Sequence, residues 1–108
     1  MIGYKIFEIE DGKFYSYIVV GRCRVRYKKR GWTKQKKKKQ GPFAVFLTKE
    51  AANLFLRNNK TVYVGIKKVK YKPSKEKQMW MYNPNSGHNL HIRDAPFGTR
   101  LAKAIKII

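Results

Sequence analysis

The stretch that decides the fold reads YKIFEIEDGKFYSYIVV and runs from residue 4 to residue 20. Aromatic and β-branched residues dominate both halves, and Asp11-Gly12 separates them. An Asp-Gly pair between two such runs is a strong hairpin signal, because glycine adopts positive φ without strain. The sequence therefore predicts antiparallel strands over residues 4–9 and 14–20, with a break or bulge at Gly21.

The hairpin is followed by a segment in which apolar and basic residues alternate strictly. Cys23, Val25 and Tyr27 share one face of residues 22–28, and cations occupy the other. This period of two predicts a strand with an apolar inner face, in which Cys23 is a buried small side chain. A second short apolar strand is predicted over residues 43–47.

One helix is predicted over residues 48–58. Thr48 is a suitable N-cap, and Glu50 falls in the first turn, where the helix dipole favours an acid. An apolar stripe follows these residues, and Asn58-Asn59 can adopt the left-handed conformation that ends a helix.

A long strand is predicted next, over residues 61–72. Its apolar residues occupy even positions up to Ile66 and odd positions from Val69 onward. A β-bulge near Lys67-Lys68 would reconcile the two halves.

The remaining segments complete the predicted architecture. Residues 29–41 are expected to form a mobile basic loop, and further strands are expected over residues 79–82 and 101–108. We therefore expect a single α+β domain over residues 1–108, in which a twisted, mostly antiparallel sheet of five to seven strands packs on the helix at 48–58.

Composition limits the possible functions. The chain has 108 residues, of which 43% are hydrophobic and 14% aromatic, so it is expected to fold. It has no run of the ~18–20 apolar residues that a membrane span needs. Its single cysteine excludes an internal disulfide and a cysteine-based metal cluster. The 26 Lys and Arg against 6 Asp and Glu give a net charge of +20, which indicates a polyanionic partner.

The cations concentrate in two segments, residues 22–39 and 67–77. Alternate residues of a strand lie about 6.6–6.8 Å apart, which is close to the spacing of successive phosphates along a nucleic-acid strand. A row of cations could therefore follow a phosphate backbone, although the same row could be a solvated face or a protected sheet edge. The predicted nucleic-acid contacts are Arg22, Arg24, Arg26, Lys28, Arg30, Trp32, Lys34, Lys36, Lys37, Lys38, Lys39, Lys67, Lys68, Lys70, Lys72 and Trp80.

The two tryptophans in that set allow two interpretations. Trp32 lies inside the first basic segment, and Trp80 follows the second. Aromatic rings among cations are typical of single-strand binding, where bases stack on the rings. Both rings could also belong to the hydrophobic core.

The sequence offers little material for catalysis or for a cofactor. His88 and His91 lie near Asp94, but the glycine and proline around them argue against a helical metal site, and zinc needs four ligands or three plus water. The glycines form neither a Walker A motif nor a dinucleotide fingerprint. We expect no catalytic residue, no metal and no cofactor, and a small nucleotide-directed enzyme is the less favoured alternative.

Five short motifs occur in an order that resembles small phage, archaeal and archaeal-virus proteins of unknown function. The motifs lie at residues 11–16, 20–27, 31–33, 43–48 and 96–102. The resemblance implies a viral or prokaryotic cytoplasmic origin, and it implies no particular activity.

These observations favour one function and leave a second open. The favoured function is non-enzymatic binding to the phosphate backbone of DNA or RNA, with low sequence specificity because phosphates carry no base information. In the alternative, the chain is a small basic protein, of the viral origin that the resemblance implies, that binds and inhibits an acidic host protein. The sequence predicts no oligomeric state.

Overall fold

The protein is described here by a computed structural model. The described residues are 1–16, 25–35, 42–58, 64–76, 78–79, 90–91 and 98–108. The strands are β1 (Ile2–Glu10), β2 (Lys13–Ser16), β3 (Arg26–Tyr27), β4 (Trp32–Lys34), β5 (Phe43–Phe46), β6 (Val64–Pro73), β7 (Gln78–Met79), β8 (Leu90–His91) and β9 (Thr99–Ile107), and the helix is α1 (Lys49–Asn58).

The predicted hairpin is confirmed over its described part. Strands β1 and β2 are antiparallel, and Glu10 pairs with Lys13 across a two-residue turn. Asp11 has φ of 50° and Gly12 has φ of 72°. Positive φ at both central residues defines the tight turn whose twist matches that of the flanking strands.

Four strands of the seven-stranded sheet close into a ring. Strand β1 pairs with β6, β6 with β9, β9 with β5, and β5 with β1, always antiparallel. Strands β2 and β3 extend the sheet from β1, and β4 extends it from β9. Strands β7 and β8 form a separate antiparallel pair. The expected combination of a mostly antiparallel sheet and a packed helix is therefore confirmed.

The two faces of the sheet carry two hydrophobic clusters. Inside the ring lies a buried cluster in which the rings of Phe7, Tyr27 and Phe43 meet edge to face, with centroids 5.1 and 5.3 Å apart. Outside the ring, the helix packs on the sheet through Ala52 and its neighbours, which meet Ile6. Burial on both faces fixes the register, because a slip of one residue would exchange the two clusters.

The helix begins where the sequence predicts. The Ala51 N–H donates to the Thr48 hydroxyl oxygen over 3.1 Å, so Thr48 is the N-cap. Glu50 lies in the first turn and Arg57 in the last, and both charges complement the helix dipole.

The predicted bulge near Lys67 and Lys68 is wrong. Strand β6 pairs with β1 without a break from Val64 to Lys70, and its register shift lies between Lys72 and Pro73. The apolar residues change parity because β6 packs on the helix with its even positions and fills the ring with its odd positions.

The expected loop over residues 29–41 contains a strand. Trp32–Lys34 forms β4, whose Thr33 pairs with Ile105 and is buried. The Lys28 N–H donates to the Thr33 hydroxyl over 2.9 Å, which ties the end of β3 to β4. A strand of three residues is too short for its alternation to show in the sequence, and its pairing with β9 is non-local.

The C-terminal strand is confirmed as β9. In the segment predicted at 22–28, Tyr27 is buried and Arg26 exposed, as the alternation predicts. Residues 17–24, which include Cys23, lie outside the described residues, as do 61–63, 80–82 and the His88 and Asp94 positions.

Candidate nucleic-acid interface

Three neighbouring strands present lysines on one outer surface of the sheet. Strand β9 lies between β4 and β6, so that Lys106 is flanked by Trp32 and Lys70, and Ala104 by Lys34 and Lys72. Paired residues of neighbouring strands point to the same side of a sheet. We call this surface the basic sheet face and define it by Trp32, Lys34, Lys68, Lys70, Lys72 and Lys106.

The basic sheet face forms a grid of positive charge. Neighbouring strands are about 4.8 Å apart, and alternate residues of a strand are about 6.6–6.8 Å apart. Lys34, Lys68, Lys70 and Lys72 are exposed, and Lys106 is half-buried. The outward positions of the three strands that define this face carry no acidic residue. The lysines therefore reinforce one another's field over a continuous surface.

An indole ring lies within this grid. Trp32 is half-buried, and the Lys72 ammonium nitrogen lies 4.8 Å from the centroid of its ring. Trp32 and Lys72 stand diagonally across β9, where Trp32 pairs with Lys106 and Lys72 pairs with Ala104, which is only 2% exposed. The small Ala104 side chain leaves room above the sheet for the ring and the lysine stem.

Other predicted contacts lie close to β4 in the chain. Lys28 and Arg30 are exposed in the turn that joins β3 to β4. Arg26 is exposed on β3, where it pairs with Tyr15 at the opposite end of the sheet order from β4. These cations are close to β4 in the chain, but they do not belong to the basic sheet face.

The sheet separates Lys67 from its neighbours. Lys67 is exposed, but it lies on the opposite face of β6 from Lys68 and pairs with Lys5. The structure thus brings together Trp32, Lys34 and three of the four predicted β6 lysines, and leaves Lys67 apart. The other predicted contacts, Arg22, Arg24, Lys36, Lys37, Lys38, Lys39 and Trp80, lie outside the described residues.

Sequence reasoning missed Lys106, which completes a row between Trp32 and Lys70. The sequence predicts a strand over residues 101–108 but not which strands lie beside it, so Lys106 could not be assigned to the same surface as Trp32 and Lys70. Its position two residues after Ala104 was the available signal, because alternate residues share a face once β9 is a strand.

Sequence reasoning also missed a buried lysine. Lys5 is 7% exposed and lies inside the ring, where its ammonium group donates to the Ala44 carbonyl oxygen over 2.8 Å. The same nitrogen lies 5.2 Å from the ring centroid of Tyr27 and 5.9 Å from that of Phe7. The signal was the parity of Lys5 with Phe7, which places both on the inner face of β1.

Burial governs the ionisation of this interior pair. Burial lowers the pKa of Lys5 to about 7, because the low-polarity interior disfavours the charged amine. Burial also raises the pKa of Tyr27, and a hydrogen bond with the Ser16 side chain opposes that rise. Lys5 links β1 to β5 beyond the single position, Tyr4 with Phe46, at which these strands pair.

The described parts of the chain lack a metal-binding cluster and a membrane-spanning helix. They hold no group of three or more His, Cys, Asp or Glu side chains that could bind a metal ion. No helix within them is long and apolar enough to cross a bilayer.

Comparison of the chain with protein-family models, with curated proteins and with solved structures found no match.

Proposed function

We propose that this protein binds nucleic acid through the basic sheet face, mainly by contacts to the phosphate backbone. The observation that carries the proposal is the grid of lysines that β4, β9 and β6 present on one surface. This grid exceeds what solubility or edge protection requires, since a small domain stays soluble at a net charge of about 2–8.

The chemistry of the grid suits a phosphate backbone. Lys68, Lys70 and Lys72 form a row whose spacing is close to that of successive phosphates along one strand. Each lysine that neutralises a phosphate releases condensed counterions, so the affinity falls as salt rises. Because an ammonium group is a point charge with rotatable donors, such contacts select little among base sequences.

In this proposal, cations next to β4 in the chain add phosphate contacts to those of the basic sheet face. Lys28 and Arg30 are exposed in the turn before β4, close in the chain to Trp32. An arginine can bind a phosphate with two parallel hydrogen bonds, so Arg30 would add a firmer contact there.

The test compares two triple variants that remove equal charge. In K68Q/K70Q/K72Q the row on β6 is neutralised, whereas a control variant removes three exposed cations elsewhere, Lys13, Lys49 and Arg57. Binding to labelled single-stranded DNA, duplex DNA and RNA is measured across a salt series after removal of bound nucleic acid.

The proposal predicts a specific difference between the two. The β6 variant weakens binding to every ligand and lowers the log–log salt slope by about 2–3, at ~0.9 per contact on duplex and ~0.7 on single strands. The K13Q/K49Q/R57Q control keeps most of the affinity. Equal losses in both variants would mean that net charge alone attracts the ligand, and would refute a defined interface.

A third result would favour binding to an acidic protein instead of nucleic acid. If the wild-type protein binds no nucleic acid below ~100 μM at physiological salt, its affinity is weaker than ordinary non-specific binding. The basic sheet face would then serve an acidic protein partner, and a stoichiometric acidic protein should copurify.

A further inference from the structure

The environment of Trp32 differs from that of the aromatic rings in the core cluster. Phe7, Tyr27 and Tyr71 are buried inside the ring of strands. Trp32 instead lies half-buried on the outer surface, beside Lys34 and Lys106 in the grid and with the Lys72 ammonium over its ring. A large, partly exposed apolar side chain on a cationic surface is a candidate for ligand contact.

A nucleic-acid base could replace the Lys72 ammonium group on the Trp32 ring. A surface cation–π contact is weak, because water and salt screen the charge. Stacking of a base on an aromatic ring is stronger by alanine substitution than a surface cation–π contact. A base that takes the place of the ammonium group on the indole would therefore gain more than the lysine loses.

The displaced lysine would also find a better partner. Lys72 is exposed and attached to β6 by a flexible stem, so its ammonium group can swing from the ring to a neighbouring phosphate. Lys34 faces it across Ala104 and can hold a phosphate on the other side of the same base. The base and the phosphates of one strand would thus be bound together.

This arrangement distinguishes single strands from duplexes. In a duplex each base is stacked between its neighbours, and its faces are covered. Only an unpaired base can turn its face to an indole that lies close to the sheet. Phosphate contacts alone would not distinguish the two forms.

We propose that Trp32 is a stacking platform for one unpaired base, so that the protein prefers single-stranded nucleic acid, and that Lys72 leaves the ring for a phosphate when the base binds. This proposal rests on the proposed function, because the base is brought to the ring by the backbone contacts of the basic sheet face.

The experiment separates the base from the phosphates. Affinities are measured for an oligothymidine of about 12 nucleotides, for an abasic oligonucleotide of the same length and charge, and for a hairpin duplex. The proteins are the wild type, W32F and W32L, and the melting temperature of each variant establishes that it is folded.

The expected result is a selective loss. W32L binds oligothymidine about 5- to 100-fold more weakly than the wild type does, and W32F retains an intermediate affinity. Both variants bind the abasic oligonucleotide and the duplex within about twofold of the wild type, with unchanged salt slopes. Equal losses on oligothymidine and on the abasic oligonucleotide, or no loss, would overturn the stacking proposal.

A fluorescence measurement decides the question even if W32L fails to fold. In a W80F background, Trp32 is the remaining tryptophan, and oligothymidine should quench its emission more than the abasic oligonucleotide does at equal occupancy. Equal quenching by both would overturn the proposal. If the wild type binds none of the three ligands, the proposed function fails as well, so the two failures are distinguishable.

Discussion

Replacing Lys5 by methionine tests how the interior of the ring controls stability. Methionine has a similar length and an unbranched stem, so it can fill the same space among Phe7 and Tyr27 without a charge. It removes the group that titrates and the hydrogen bond to Ala44. The quantity to follow is the free energy of unfolding as a function of pH, measured for both proteins.

The direction follows from the two states of the chain. The pKa of Lys5 falls to about 7 in the folded protein, whereas an exposed lysine has a pKa of 10.5. Between these values the unfolded chain holds a proton that the folded chain releases, so the stability rises with pH. At still lower pH both states hold the proton, and the contribution becomes constant.

The size of the change in the free energy of unfolding follows from the same two pKa values. A difference of one proton between the states corresponds to about 1.4 kcal/mol per pH unit. Since Lys5 is half-protonated near pH 7 in the fold, the cost of burying it falls, and the free energy of unfolding rises, by about 2 kcal/mol between pH 7 and pH 9. Work at higher pH is avoided, because Tyr27 begins to lose its proton in the unfolded chain near pH 10 and its raised pKa in the fold then lowers the stability.

Urea unfolding at a series of pH values from about 7 to 9 gives the comparison. The exposed lysines contribute equally to both proteins and cancel in the difference. We expect wild-type stability to rise relative to Lys5→Met by about 2 kcal/mol across this range. Parallel curves would refute the reasoning, since they would mean that the Ala44 carbonyl and the two rings hold Lys5 fully charged in the fold.

Three further predictions concern local structure and charge. Thr48→Ala should lower the free energy of unfolding by about 1 kcal/mol in urea titrations, whereas Thr48→Ser should retain the N-cap and most of the stability. Gly98→Ala should lower the free energy of unfolding more than Gly31→Ala does. Both glycines have positive φ, but an added Cβ at Gly98 would lie 2.9 Å from the Ala51 Cβ, whereas one at Gly31 meets nothing within 4 Å. Adding Ala51→Gly should restore part of the stability that Gly98→Ala loses, and an equal cost at both glycines would contradict this explanation. Raising the salt from about 0.05 to about 0.5 M should raise the melting temperature, since screening weakens the self-repulsion of a chain of charge +20.

Local sequence signals were sufficient for the hairpin and the helix. Asp11-Gly12 specifies a two-residue turn, and Thr48 with Glu50 marks a helix start, because both signals act between residues that are close in the chain. Closure of the ring could not be predicted in this way. It depends on pairing between β1, β6, β9 and β5, which no local pattern encodes.

The candidate interface, like the fold, was predictable from local sequence signals only in part. Most of its lysines were identified from the sequence, because cations on a strand are conspicuous. The sequence did not predict that these lysines share one surface, since this depends on β9 lying between β4 and β6. Lys106 was missed for that reason, and Lys67 was included although the pleat of β6 turns it to the other side.

Strand β9 comes after the other three strands of the ring in the chain, so the ring can close only once β9 has paired with β5 and β6. It forms pairs with β4, β5 and β6, which lie between residues 32 and 73, so the ring closes only through contacts distant in sequence. Such contacts form slowly, and until they form β5 and β6 each have an open edge that could pair with another chain. Because full-length copies each carry a charge of +20 and repel one another, this charge would oppose aggregation of chains whose ring has not yet closed.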